Sequence, residues 1–146
     1  MVMAYRKIKP YNSTIEELRK IWSDTYCESP VITFDKIEVH FYSNMFDHCF
    51  FESHERKKGD KSILSYNRLE KIYWIKDALE DPSSIRKKGW DAKSKSYDKS
   101  RRVTLVKDNY VVVFVLYKEK KARFITAYEV NDVYNLNKIK NSPDWA

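Results

Sequence analysis

Ile15, Leu18, Ile21 and Trp22 recur at helical spacing with polar residues between them. The pattern predicts a first helix over about 14–23. Ser13, followed by Glu16 three positions later, reads as a capping box: the hydroxyl accepts the Glu16 amide and the carboxylate reaches back. Pro30 closes the connection. From Val31 to Tyr42 the period falls to two: Ile37, Val39 and Phe41 alternate with Glu38, His40 and Tyr42, as in a strand with one buried face. Helical spacing returns in Met45, Phe46, Cys49, Phe50 and Ser53, a short helix over about 44–54 with Ser43 as its cap. Beyond the charged loop Glu55–Ser62, Ser65 starts a longer helix over about 66–80. Its stripe is Leu69, Ile72, Tyr73, Ile75 and Leu79, and Pro82 ends it.

The last third reads as β-structure. Residues 102–107, 110–117 and 123–128 are rich in Val, Phe and Tyr, and the breaks at Asp108-Asn109 and Glu119–Lys121 suit antiparallel hairpins. Val111–Leu116 is continuously apolar, which predicts a central strand covered on both faces. Residues 83–100 are Lys- and Ser-rich around Trp90 and read as a long loop. The predicted class is α+β, with N-terminal helices packed on one face of a sheet. Neither a repeat nor an interdomain linker interrupts it. Residues 1–40 read as an N-terminal helix-and-strand extension and 41–146 as the main domain.

Composition narrows the function classes. The 146 residues are 42% hydrophobic and 34% charged, enough apolar material for one core. With 28 Lys and Arg against 21 Asp and Glu, the formal charge is +7, which favours polyanionic partners. No apolar run approaches the ~18 residues of a membrane span. The basic N-terminus lacks the apolar centre of a secretion signal. Two cysteines, Cys27 and Cys49, read as reduced thiols in a cytoplasmic protein. Gly59 and Gly89 are the only glycines, which excludes a P-loop and a dinucleotide fingerprint. CxxC, HExxH and GxSxG are absent from the sequence.

Three groups of residues carry candidate chemistry. His48 sits in the second predicted helix with Glu52 one turn on, close enough for a carboxylate to orient an imidazole; an ordinary surface pair has the same spacing. His40 reads as a solvated strand residue and His54 as a helix C-terminal cation. Cys49 is no partner for His48, because adjacent helix residues point roughly 100° apart. In the last strand, Phe124, Thr126 and Tyr128 share a face by period two, leaving Ile125 and Ala127 on the other. A hydroxyl pair near a strand end can hold a phosphate oxygen, although Thr and Tyr are also common strand residues. Arg101 and Arg102, near Lys99 and Lys107, lie among Trp90, Tyr97 and Tyr110. Guanidinium forks suit phosphate and aromatic rings suit unpaired bases, while a solvated charged loop has the same composition. Arg68 can reach the same place.

The order of these segments is more specific than any one of them. Phe46-Asp47-His48-Cys49-Phe50-Phe51-Glu52-Ser53 precedes Asn67-Arg68, Trp74-Ile75-Lys76 and Leu79-Glu80-Asp81-Pro82. Gly89-Trp90-Asp91, Lys95 with Tyr97-Asp98, and Arg101-Arg102-Val103 follow. Tyr110-Val111-Val112-Val113, Phe124–Tyr128, Lys138-Ile139 and Pro143-Asp144-Trp145 complete the set. Over Phe41–Trp145 this resembles the phage-associated barnase-like nucleases of the barnase–EndoU–colicin–RelE superfamily. The resemblance implies N-terminal helices on a curved antiparallel sheet of about four strands, with a ribonuclease site on the open face of that sheet.

Such an enzyme uses the ribose 2′-hydroxyl as nucleophile and needs no metal or other cofactor. The products are a 2′,3′-cyclic phosphate and a 5′-hydroxyl. The resemblance and the chemistry together assign His48 as acid or base, Glu52 as its orienting partner and Arg102 as the phosphate ligand, backed by Arg68 or Arg101. Thr126 and Tyr128 bind phosphate or ribose oxygens, and Trp90 and Tyr97 stack bases. Asp47, Glu52, Asp60 and Asp91 have no metal-ligand spacing. RNA, including tRNA or mRNA, is the implied partner, with a cognate inhibitor or antitoxin, in the cytoplasm of a phage- or mobile-element-bearing host. The competing expectation is a non-catalytic nucleic-acid-binding or partner-binding protein on the same fold.

Overall fold

Trp22 is the hub of the core, and its position follows from the first helix. Its ring packs edge-on to Phe41 and Phe50, with centroids 5.5 Å away in each case, and lies 4.8 Å from Tyr26. The indole N–H donates to the Tyr42 carbonyl at 3.1 Å. Helix α1 (Ile15–Trp22) delivers this ring together with Leu18, both almost wholly buried. A wider, π-type turn over Ser23–Cys27 then carries the buried Tyr26. The cap lies one residue later than expected: Thr14, not Ser13, accepts the Glu17 amide, and Glu17 closes the box. Residues 15–40 thus contribute to the same hydrophobic cluster as the rest of the chain.

This computed structural model describes residues 5–52, 63–89, 95 and 101–145. Among them are five α-helices and a six-stranded mixed sheet, ordered β1 (Val31–Ile32), β2 (Glu38–His40), β8 (Lys121–Glu129), β7 (Tyr110–Lys118), β6 (Arg102–Lys107), β5 (Ile85–Lys88). The α+β class is therefore correct, but the purely antiparallel sheet of about four strands is not. Two extra strands come from segments read otherwise. Val31–Tyr42 splits into β1 and β2, because Thr33–Ile37 forms a tight turn with Lys36 at φ 73°. β5 lies within the stretch expected to be loop. β2 pairs parallel to β8, His40 opposite Arg123, a long-range pairing that no local pattern encodes.

The short helix ends sooner than expected. Helix α2 covers Met45–Phe50, and Phe51–Glu52 forms strand β3, paired with β4 (Ile63–Leu64). The predicted 66–80 helix is broken into α3 (Tyr66–Leu69) and α4 (Trp74–Glu80) by a turn through residues 70–73. α1 to α4 contribute to the main core on one face of the sheet. The opposite face carries a small cluster of Val106, Val111, Val113 and Val130, over which α5 (Val133–Lys140) lays Leu136 and Ile139. Central β7 is thus covered on both faces, as its continuous apolar run predicts. Sequence reading missed α5, whose apolar contacts are confined to those two side chains. None of the helices among the described residues is long and apolar enough to cross a membrane.

Candidate functional site

A β-bulge decides which side chains reach the face that α5 only partly covers. Val113 pairs with Thr126 and Phe114 with Phe124, so Ile125 is an extra residue on β8. Period-two alternation is broken there. Phe124 and Ala127 face the main core, whereas Thr126 and Tyr128 emerge on the opposite face. The expectation that Phe124 shares their face is overturned by this one inserted residue. Thr104, Val113 and Thr126 form one row across three strands, and Val106, Val111 and Tyr128 the next. Arg102 precedes Thr104 by two and extends the same face.

Two cavities flank this row. The smaller, about 410 Å³, is lined by Lys88, Arg102, Thr104, Val113, Thr126, Tyr128, Lys138, Ile139 and Ser142. Among the described residues its lining has three cations and several hydroxyls but no carboxylate. The larger, about 720 Å³, runs between α3 and α5 past the end of β8. It holds Arg68 and Lys71 but also Glu129, Asp132, Asn67 and Asn135. Tyr128, Lys138 and Ile139 belong to both, so Tyr128 stands at their junction.

Arg68 orders that junction. Its Nη1 donates to the Cys49 carbonyl at the end of α2 at 3.0 Å, and its guanidinium lies 5.9 Å from the centre of the Tyr128 ring. Burial pushes the Tyr128 hydroxyl above its usual range, and the Arg68 cation partly opposes that. Tyr128 is therefore a protonated donor at neutral pH. The buried Tyr110 beside it is driven well above the usual range by burial.

Of the residues singled out from sequence, Arg68, Arg102, Thr126 and Tyr128 converge on these two cavities. His48 does not: it is exposed on α2 and lines neither. Glu52 lies on β3, beyond the end of α2, so His48 and Glu52 do not share one helix as expected. Arg101 is exposed just before β6, with φ 54°, and lines neither cavity. Trp90 and Tyr97 lie outside the described residues. Among the described residues, no three His, Cys, Asp or Glu side chains cluster as metal ligands.

Sequence reading missed Lys71, Lys88, Glu129 and Lys138. Lys71 had no clear signal, since Glu70-Lys71 reads as a polar pair between Leu69 and Ile72. Lys71 is 3% exposed, with its ammonium 3.0 Å from Glu70 Oε1 and donating to Asn67. Lys88 had none, since Arg86-Lys87-Lys88 reads as an ordinary charged surface run, and Lys138 stood in the ordered set of segments without a role. Comparison with family models, with curated proteins and with solved structures gave no match.

Proposed function

We propose that this protein is a metal-independent endoribonuclease of barnase-like kinship. In this reading it holds RNA on the sheet face and cleaves it beside Tyr128. The observation that carries the reading is the smaller cavity, where Arg102, Lys88 and Lys138 surround Thr104, Thr126 and Ser142 with no carboxylate in the lining among the described residues. Cations and hydroxyl donors without competing anions suit a phosphodiester, and more so the extra charge of a phosphorane.

The chemistry follows from that seat. The ribose O2′ gives its proton to solvent water and bonds to phosphorus, the P–O5′ bond breaks, the leaving 5′-oxygen takes a proton from the acid, and that acid recovers a proton from water. The proposed donor is Tyr128 rather than His48, because Tyr128 stands at the cavity junction with its hydroxyl kept protonated. Arg102 and Lys88 carry the phosphate charge, and Thr126 positions a non-bridging or ribose oxygen. DNA lacks the attacking hydroxyl and is spared. A cognate inhibitor covering this face and a cytoplasmic, phage-associated setting belong to the same proposal.

The test is RNA cleavage in EDTA by wild type, Tyr128→Phe, Arg102→Met and His48→Ala, with end analysis of the products. Cyclic-phosphate ends from wild type, with rates at least 100-fold lower in Tyr128→Phe and Arg102→Met, support the reading. Loss of cleavage in His48→Ala alone returns the proton transfer to that imidazole. RNA bound but uncut by wild type favours the non-catalytic RNA-binding reading, which the position of His48 outside both cavities supports.

A further inference from the structure

We propose that the larger cavity seats one unpaired nucleobase of the bound RNA, with Glu129 reading an amino group on its edge and Tyr66 stacking on its face. This rests on the RNA reading above and adds to it a base preference.

The two cavities differ in chemistry. Among the described residues the smaller has no carboxylate in its lining, whereas Glu129 and Asp132 line the larger. Carboxylates repel phosphate but accept hydrogen bonds from the exocyclic amines of cytosine, adenine and guanine. The carboxamides of Asn67 and Asn135 add neutral polar groups of the kind that read base edges. About 720 Å³ is within the range of small-ligand sites. Tyr128, shared by both cavities, puts this base next to the phosphate seat.

Glu129 is held as a fixed acceptor. Its side chain is 24% exposed, and Lys71 Nζ lies 3.8 Å from its Oε2. The Lys71 side chain is itself only 4% exposed. It is anchored by hydrogen bonds to the Asn67 carbonyl and side chain and to Glu70, and lies 5.7 Å from the Trp74 ring centre. A buried cation fixed from three sides thus holds the carboxylate at the cavity wall. A carboxylate has about four acceptor positions, so one ion pair leaves capacity for a ligand. Tyr66 lines the same cavity and is 51% exposed, an aromatic face outside the core.

Uracil has carbonyls where cytosine has an amine, and the two rings stack over similar areas. The proposal therefore predicts cytosine over uracil at this seat. The experiment compares binding of labelled 2′-O-methyl oligocytidylate and oligouridylate, which cannot be cut, by anisotropy in EDTA. Wild type is expected to bind the cytidine strand about tenfold or more tighter. Glu129→Gln removes the charge and exchanges one of the two acceptor oxygens for an NH2 donor, and should reduce or reverse the ratio. Tyr66→Ala, an exposed position where folding is not at stake, should weaken both strands about tenfold and leave the ratio unchanged. Equal affinities in wild type, or an unchanged ratio in folded Glu129→Gln, overturn the base seat even where RNA is cleaved. Binding of neither strand, with no cleavage, overturns the RNA reading as well. If Glu129→Gln does not fold, full affinity in Tyr66→Ala overturns the proposal.

Discussion

Gly89 lies directly against the side chain of Arg102. A Cβ at Gly89 would sit 2.4 Å from Arg102 Cγ and 2.8 Å from Cδ, while the Gly89 amide donates to the Arg102 carbonyl at 2.8 Å. The crowded atoms are at the root of the side chain, where bending away is least easy. Glycine here gives Arg102 its path into the smaller cavity. Gly89→Ala is expected to displace the guanidinium and reproduce the RNA-binding loss of Arg102→Met, at a stability cost of about 1–3 kcal/mol. RNA titration and thermal melting of the two variants check this. Wild-type affinity in a folded Gly89→Ala protein would detach Gly89 from the site.

The N-terminal helix buries Leu18 and Trp22 as completely as the central strands bury their core side chains. Trp22→Ala removes a ring that touches Phe41, Phe50 and Phe124 and a hydrogen bond to Tyr42. The expected loss is about 3–5 kcal/mol, a large part of a typical domain's stability. Urea denaturation should show one cooperative transition moved to a lower midpoint. Two separate transitions would mean that residues 15–27 unfold independently of the sheet.

What was legible in the sequence follows from how far each signal reaches. β6, β7 and β8 were readable because apolar runs and polar breaks are local, and β7 emerges between two cores as its run of Val and Phe requires. The break at residues 70–73 was not, since Leu69, Ile72 and Ile75 fit one helical stripe equally well. The parallel β2–β8 pair joins residues more than 80 apart in sequence, a contact without a local pattern. For the candidate site, Arg68, Arg102, Thr126 and Tyr128 were chosen as residue types suited to phosphate, and the structure brings them together. The choice of His48 rested on reading α2 through to Glu52, whereas its end at Phe50 puts Glu52 on a strand. Nor could alternation reveal the bulge at Ile125 that turns Thr126 away from Phe124.

Acid should reveal the strap formed by the N-terminal segment. The Tyr5 hydroxyl donates to Asp81 Oδ2 at 2.7 Å, and the Ser83 amide and hydroxyl donate to Oδ1. Burial alone would raise the Asp81 carboxyl, but these hydrogen bonds and Lys107 outweigh it and hold it at about 2. A carboxylate lowered in the fold stabilises it above the ordinary carboxyl range, and that contribution is lost as pH falls toward 2. Tyr5→Phe removes one donor while keeping the Tyr5 amide bond to Asp77. The stability difference between wild type and Tyr5→Phe should be largest above about pH 4 and shrink toward pH 2. Denaturation midpoints across that range measure it, and a constant difference would refute the linkage.

Arg68 offers the sharpest test of how the site is held. Its guanidinium holds the Cys49 carbonyl and faces the Tyr128 ring, tying the end of α2 to β8. Arg68→Met keeps much of the stem but removes the donor and the cation. Loss of this charged hydrogen bond should cost about 1.5–3 kcal/mol. Burial raises the Tyr128 pKa and Arg68 opposes it, so loss of the cation should move the hydroxyl further up. A spectrophotometric tyrosine titration, with Tyr128→Phe identifying the signal, should show Tyr128 ionising at higher pH in Arg68→Met than in wild type. RNA cleavage should fall at least tenfold in the same variant, since both the cation beside the Tyr128 ring and the placement of the donor are lost. An unshifted titration with reduced cleavage would limit Arg68 to binding substrate, whereas a shifted titration with full cleavage would remove Tyr128 from the proton transfer.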